Sequence, residues 1–387
     1  MSQILVIGGG TAGMHTAIAL AEMGIKVDLV EKERSIGGIL KDLGFVFPSD
    51  DCALCYESAN TIFGDNQIRK CQYRAGFEFL NNLKIHSFSQ ISQYNQKKGG
   101  KIAATIVSEP LLIDPAKCVL CGACQEVCSL KAISKCHIQA IPSTLFIDPT
   151  KCDPEKCKKE CLEACKLEAI DLQTKPKETL IDFDAVILAS GFNETCPPIE
   201  SYAIDEKEVI NQIELAHKLD PTRFDSGLDE GIKTVVMVQC VGSRDPRFNA
   251  ECSSLCCTYA LKHAIKLKEL GIENVIILYM DIRTLSILEN YYIKARNTGV
   301  KFVRGRPGLI EKREKKLLVH TENTLTGTYE QIEADLVVLS TGLEKVREAL
   351  PSKGHTFWVG ATADLQNIPQ CINDARSKVW QVINSLN

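Results

Sequence analysis

Four cysteines, Cys240, Cys252, Cys256 and Cys257, constrain this chain more than any other feature. Their spacing is C-x11-C-x3-C-C. The apolar run Thr234–Gln239 before them reads as a strand, Leu255–Leu270 as a helix and Asn274–Tyr279 as a second strand. Together these make a βαβ unit, whose first turn normally holds glycines against a dinucleotide pyrophosphate. Here the turn holds thiols, with Gly242 as its single glycine. It reads as a nucleotide turn converted into a metal site.

The N-terminus keeps its glycines. Ile4-Leu5-Val6-Ile7 leads into Gly8-Gly9-Gly10-Thr11-Ala12-Gly13, then a helix to about Met23, then a strand, Lys26–Val30, that ends in Glu31. Gly8, Gly10 and Gly13 form a G-x-G-x-x-G turn, which lets backbone approach a pyrophosphate at a helix N-terminus, and Glu31 is placed to accept from ribose hydroxyls. Further on, Ala185–Ala189 and Leu336–Leu339 are short apolar strands ending in Ser190-Gly191 and Thr341-Gly342, and Phe357-Trp358-Val359-Gly360 is another. This layout resembles the flavoproteins with two dinucleotide domains, such as thioredoxin reductase and glutathione reductase. The resemblance implies FAD at the first site, bound by the glycine turn with Thr11, Ala12, Glu31, Lys32, Gly38, Ile39, Ser190 and Gly191. It also implies that the chain returns to this domain at its end, with Gly360, Ala361 and Ile368 beside the isoalloxazine.

A length of 387 residues with 45% hydrophobic content predicts two or three domains with substantial cores. A net charge of −4 without a basic patch argues against a nucleic-acid partner. No apolar run approaches the roughly 20 residues of a membrane span. The first strand starts almost at Met1 and leaves no signal peptide, so a cytoplasmic protein is expected. Eighteen cysteines in that compartment point to metal or redox roles. Cys71, Cys196 and Cys371 stand apart from the clusters and read as small buried hydrophobes.

Eight more cysteines fall into two runs, Cys118-x2-Cys121-x2-Cys124-x3-Cys128 and Cys152-x4-Cys157-x3-Cys161-x3-Cys165. Each run follows an Ile-Asp-Pro (113–115 and 147–149) and precedes an Ala-Ile (132–133 and 169–170). This is an internal duplication of the bacterial ferredoxin kind, placed inside the flavin domain. In such ferredoxins the fourth Cys of each run ligates the other cluster. The resemblance therefore implies one [4Fe–4S] cluster on Cys118, Cys121, Cys124 and Cys165, and another on Cys152, Cys157, Cys161 and Cys128. The chain departs from the ferredoxin pattern in two ways. Ser129 and Lys166 stand where proline usually follows the fourth Cys, and the second run is more widely spaced. Cys136 is a spare thiol nearby.

The chain resembles the A subunit of heterodisulfide reductase and its relatives, including the A subunit of the quinone-interacting membrane-bound oxidoreductase. The segments that carry this are Gly8–Gly13, Phe47–Cys55, the ferredoxin insert with Gln139-Ala140-Ile141-Pro142, Cys240–Cys257, Tyr279-Met280-Asp281-Ile282-Arg283 and Arg304-Gly305-Arg306-Pro307. The resemblance implies an oxidoreductase subunit that passes electrons between clusters and FAD. Bifurcation at the flavin is left open, because the chain lacks the extra N-terminal domain and the ferredoxin domain after Trp380 of larger members. It implies a third [4Fe–4S] cluster on Cys240, Cys252, Cys256 and Cys257, close to a dimer interface, and places Lys262 beside flavin N5 as the catalytic cation. The implied partners are B and C subunits of heterodisulfide reductase type or of the quinone-interacting type, with a ferredoxin or a flavin and iron–sulfur protein as donor. Cys52 and Cys55 have three readings: a redox disulfide, partial ligands of a fourth cluster shared with a partner, or inert thiols.

The fold class that follows is α/β, a thioredoxin reductase-like flavoprotein with an inserted α+β ferredoxin domain. The boundaries are 1–108, 176–230 and 331–387 for the flavin domain with its connector, 109–175 for the insert, and 231–330 for the degenerate nucleotide domain. The competing functions are a stand-alone NAD(P)H-dependent disulfide reductase using Cys52 and Cys55, and a zinc-organised interaction module.

Overall fold

The computed structural model describes residues 2–43, 81–97, 99–135, 142, 144–195, 199–220, 226–346 and 355–386. Cys52, Cys55, Cys71, Cys136 and Cys196 lie outside the described residues, and the three readings of Cys52 and Cys55 lie there with them. The chain divides into two units: Met1–Lys41 with Leu54–Gly191 and Val346–Asn387, and Asp42–Ala53 with Phe192–Lys345.

In the first unit, β1 (Gln3–Ile7) and β2 (Lys26–Val30) are short runs in which all but the first residue is buried. Such continuous burial suits parallel strands covered on both faces. With β3 (Leu83–His86), β9 (Ala185–Leu188) and β19 (Thr356–Trp358) they form a parallel sheet in the order β19-β9-β1-β2-β3. Helix α1 (Thr11–Glu22) packs against α7 (Ile368–Leu386). The buried residues of α7, Cys371, Ile372, Ala375, Val379 and Val382, recur at helical spacing. Asn367 and Gln370 exchange side-chain bonds at 3.0 Å to fix the start of α7.

A second, antiparallel sheet joins β4 (Ser89–Gln96), β5 (Ile102–Ser108) and β8 (Lys177–Phe183). Its Ile102, Ala104, Ile106 and Phe183 pack on Leu5, Ile7, Val186 and Leu188 of the parallel sheet. Ser108 is paired with Lys177, so residues 109–176 leave one strand and return at once to its neighbour. Within that excursion, β6 (Ile133–Lys135) pairs with β7 (Leu145–Ile147), and Ile113 bridges to Ile170. Two short helices, α2 (Ala123–Glu126) and α3 (Glu160–Ala164), lie between these pairs in sequence. The hydrogen bonds repeat in duplicate and cross between the halves. Asp114 N–H donates to Ala169 and Asp148 N–H to Ala132, both at 2.8 Å. Cys118 N–H donates to Asp114, and Cys152 N–H to Asp148. The apolar centre is small, with Ile113, Ile133, Leu145, Ile147 and Ala169 around Cys124. A core of this size ordinarily needs a metal or disulfide to hold it.

In the second unit, β12 (Thr234–Val241), β13 (Asn274–Tyr279) and β14 (Lys301–Arg304) run parallel. β18 (Leu336–Lys345) pairs parallel with β12 on its other side, and β10 (Phe192–Thr195) and β11 (Val209–Asn211) pair with β18. Helices α4 (Gln212–Leu219), α5 (Cys256–Glu269) and α6 (Glu289–Asn297) contribute to the hydrophobic core on one face, where Leu215, Leu261 and Ala295 meet Met237 and Ile277. An antiparallel sheet of β15 (Pro307–Arg313), β16 (Lys316–Asn323) and β17 (Thr328–Ala334) covers the other face, where Ile310 and Val319 meet Val236 and Leu278.

The strand–helix–strand spans read from sequence match β1–α1–β2 and β12–α5–β13. The expected domain limits at 230 and 331 do not. Leu336–Leu339 pairs with Val235–Val238 in the second unit, which runs from Phe192 to Lys345, and the first unit resumes only at Val346. An apolar run announces a buried parallel strand, but says nothing about which sheet it joins. No helix among the described residues is long and apolar enough to cross a membrane.

Candidate cofactor sites

The glycine turn of the first unit is built by close backbone approach. A β-carbon on Gly13 would stand 1.8 Å from the Gly8 carbonyl oxygen, so only glycine lets α1 settle onto the turn. Gly10 caps α1 without any side-chain bond, and no acidic residue stands in the first turn. The amides there have no side-chain cap and suit an anion. Buried Glu31 accepts from Gly9 N–H at 2.7 Å and from Glu33 N–H at 2.8 Å. Each carboxylate oxygen keeps acceptor capacity for a ribose hydroxyl.

Three further segments meet this turn. Gly37 N–H donates to Gly9 at 2.8 Å, which brings Gly38 and Ile39 alongside. Ala189 and Ser190 lie against Gly8. Gly360, at φ +63°, lies so near α1 that a β-carbon would sit 2.4 Å from that of Ala12. Two residues that sequence reading missed hold the segments: Thr362 Oγ1 accepts from Gly191 N–H at 2.6 Å, and Asp374 accepts from Gly360 N–H at 2.7 Å. Ala361 follows Gly360, Lys32 follows Glu31, and Ile368 opens α7. The donor set and the tight backbone fit a dinucleotide.

Arg34 is a further residue that sequence reading missed. Its guanidinium lies 4.7 Å from the Phe88 ring centre and 4.4 Å from that of Phe146, and donates to the Ile147 carbonyl at 3.4 Å. One cation thus ties the loop after Glu31 to β7 of the insert. Stacked cations of this kind contribute about 1–2 kcal/mol. Arg34→Ala is expected to speed amide exchange in β6 and β7 while FAD stays bound. Unchanged exchange there would refute the tie.

The structure brings Cys165 to Cys118, Cys121 and Cys124, and these four thiols share the wall of a cavity of about 340 Å³ with Ile113 and Leu145. Burial, and then the neighbouring Cys165, Cys118 and Cys121, push the Cys124 thiol up to about 11. Cys128 falls in the other set: burial first, then Cys157, Cys161 and Cys128, raise Cys152 above the ordinary thiol value. The fourth thiol of each run accepts a backbone bond at 3.3 Å, Cys128 from Ala132 and Cys165 from Ala169.

In the second unit the β12–β18 register shifts between Val238 and Val241, and Cys240 takes a left-handed φ of +60°. A bulge re-aims the side chain it carries. Cys256 and Cys257 open α5, with Cys256 Sγ 3.6 Å from the Thr341 carbonyl oxygen and Cys257 Sγ 4.0 Å from that of Asp281. Ser253 pins the intervening loop by accepting from Leu343 N–H at 3.0 Å. Burial, reinforced by Cys257, Cys240 and Cys252, pushes Cys256 up to about 12. Burial likewise pushes Cys257 up to about 11. A metal bound by these thiols would have to displace their protons. Arginines stand around it, with Arg244 bonded to Asp281, Arg247 to Asp245 at 2.8 Å, and Arg306 at 3.8 Å from Asp245. Lys262, on α5, donates to the Leu43 carbonyl at 3.0 Å.

Among the described residues no three His, Cys, Asp or Glu side chains close on a point that a single ion would occupy. Zinc would need its thiolates at about 2.3 Å from one centre.

A family model described as FAD dependent oxidoreductase matches residues 3–152. The A subunit of the ferredoxin:CoB-CoM heterodisulfide reductase of Methanosarcina acetivorans is 34% identical over 99% of this chain and 52% of its own length. The iron-sulfur A subunit of the CoB-CoM heterodisulfide reductase of Methanocaldococcus jannaschii is 35% identical over 88% of this chain and 53% of its own length. The chain thus spans about half the length of the curated relatives it matches. Among solved structures, the thioredoxin reductase of Lactococcus lactis aligns over 100% of this chain and 99% of its own, at 13% identity and a TM-score of 0.55. That of T. acidophilum aligns over the full length of both chains, at 12% identity and a TM-score of 0.54. The fold is that of a thioredoxin reductase-like flavoprotein, and across the length it shares with them the chain is similar to the heterodisulfide reductase A subunits.

Proposed function

We propose that this chain is an electron-transfer subunit that holds FAD in its first unit and three [4Fe–4S] clusters, two in residues 109–176 and one at the β12–α5 turn. The observation that carries this reading is the sorting of twelve cysteines into three sets of four, two of them formed by exchange of the fourth thiol between halves of a duplication. When bound, the clusters would pass single electrons and the flavin would exchange one or two. The chain's own residues supply the rest. The amides at α1 and the Glu31 carboxylate fix the dinucleotide. The backbone N–H groups of Ala132 and Ala169 donate to cysteine sulfur, which makes a cluster easier to reduce. Lys262 is the cation assigned to the flavin, where it would stabilise the anionic reduced form.

The relatives' names are those of CoB-CoM heterodisulfide reductases. By analogy this chain works with other subunits of such a complex, of B and C type, and as a dimer, with chemistry on a disulfide substrate done elsewhere in the assembly. Anaerobic purification with iron, sulfide, zinc and flavin assays tests the reading. About 12 iron atoms and one FAD per chain are expected, and zinc with negligible sulfide would overturn it.

A further inference from the structure

The segments around Asp281 and Arg306 stood out in the sequence, yet the proposed electron path gives them no task. In the structure they gather around Cys240. The Arg244 guanidinium donates to the Asp281 carboxylate and interacts electrostatically with the Cys240 thiol. Its backbone is held too: φ is +55°, and its N–H donates to Glu251 at 3.1 Å. Left-handed backbone at a non-glycine residue persists only where its surroundings enforce it. Asp281 touches the thiol set twice, through Arg244 toward Cys240 and through its own carbonyl toward Cys257. Arg283 is 3.5 Å from the same carboxylate, and Arg304 Nε donates to the Met280 carbonyl at 3.0 Å. Four arginines (244, 247, 283 and 306) stand against two aspartates, 245 and 281.

We infer that Arg244, positioned by Asp281, raises the reduction potential of the cluster held by Cys240, Cys252, Cys256 and Cys257. The inference rests on the electron-transfer reading above. Reduction adds one electron to a site that already carries four thiolates; no bond breaks and no proton moves. The added negative charge is stabilised by the nearest cation, and Arg244 is partly shielded from solvent, so salt screens it only in part. Net charge is one of the settings of cluster potential, and Arg244 supplies positive charge beside Cys240. Asp281 offsets part of that charge and keeps the guanidinium in place. Arg244 is thus a positioning and tuning residue rather than a ligand.

The test is a dithionite titration with mediators, followed by electron paramagnetic resonance on the anaerobically loaded full chain. Arg244→Gln keeps a hydrogen-bonding group and removes the charge. It is expected to lower the reduced-to-oxidised ratio of this one cluster at least tenfold at fixed potential, about 59 mV for one electron, with iron and FAD contents unchanged. Arg244→Lys should restore most of the ratio. Asp281→Asn should shift it the opposite way, because the guanidinium is no longer neutralised. An unmoved potential in Arg244→Gln at wild-type iron content overturns the inference alone. If Arg244→Gln loses iron, Asp281→Asn decides: a rise supports the inference, and no change overturns it. A wild-type chain with only about 8 iron atoms would instead sink the underlying cluster assignment.

Discussion

Cys256→Ser is expected to lower iron from about 12 to about 8 atoms per chain and to leave FAD in place. Cys256 opens α5, is buried, and has the other three thiols of its set as neighbours. Its thiol, pushed up to about 12, has no reason to ionise unless a metal takes the proton's place. Serine keeps the volume but is a far poorer ligand for iron. The FAD turn belongs to the first unit and Cys256 to the second, so flavin content separates cluster loss from general unfolding. Cys371→Ser is the control. That thiol is buried on α7, near where a β-carbon on Gly360 would sit, and belongs to none of the three sets. Its iron should not change. Iron unchanged in Cys256→Ser would remove the third cluster from the proposal.

Gly13→Ala should be the most damaging single methyl group in the first unit. The new carbon would lie 1.8 Å from the Gly8 carbonyl oxygen and 3.2 Å from the Ala189 side chain. Relief requires α1 to lift from β1 and β9, and with it the amides that face the pyrophosphate. A loss of about 3 kcal/mol is expected, with little flavin retained after purification. Gly24→Ala provides the comparison: at φ +81° with nothing within 4 Å, it costs about 1 kcal/mol through backbone strain alone and keeps its FAD. Melting temperature and flavin absorbance per chain measure both. Equal behaviour of the two variants would mean that the close approach at Gly13 does not govern binding.

The parts of the fold that were legible are those whose signal is local. Buried parallel strands are unbroken apolar runs, so β1, β2, β12 and β13 could be placed from residues alone. The resemblance to duplicated ferredoxins implied that Cys165 joins the first cysteine run; the structure puts that thiol in one cavity wall with Cys118, Cys121 and Cys124, and their ligation of a cluster stays a proposal. What sequence could not carry was long-range. β18 joins β12 because of neighbours a hundred residues away, and its own residues would suit either sheet. Arg34 is one charge in Glu31-Lys32-Glu33-Arg34 until Phe88 and Phe146 close over it. Arg244 was visible only as part of Val-Gly-Ser-Arg-Asp, and its bond to Asp281 spans a helix and a strand. The bulge that turns Cys240 has no residue signature, since it is a property of two strands in register.

The adjacency of Ser108 and Lys177 bears on how such a protein is made and how it fails. The two strands can zip together whether or not the residues between them have acquired iron. If the excursion holds clusters as proposed, their assembly would be a separate event from closing of the flavin half, whose strands meet without it. Loss of such clusters would then cost the excursion the support of its small core while the pairing of Ser108 with Lys177 stayed in place.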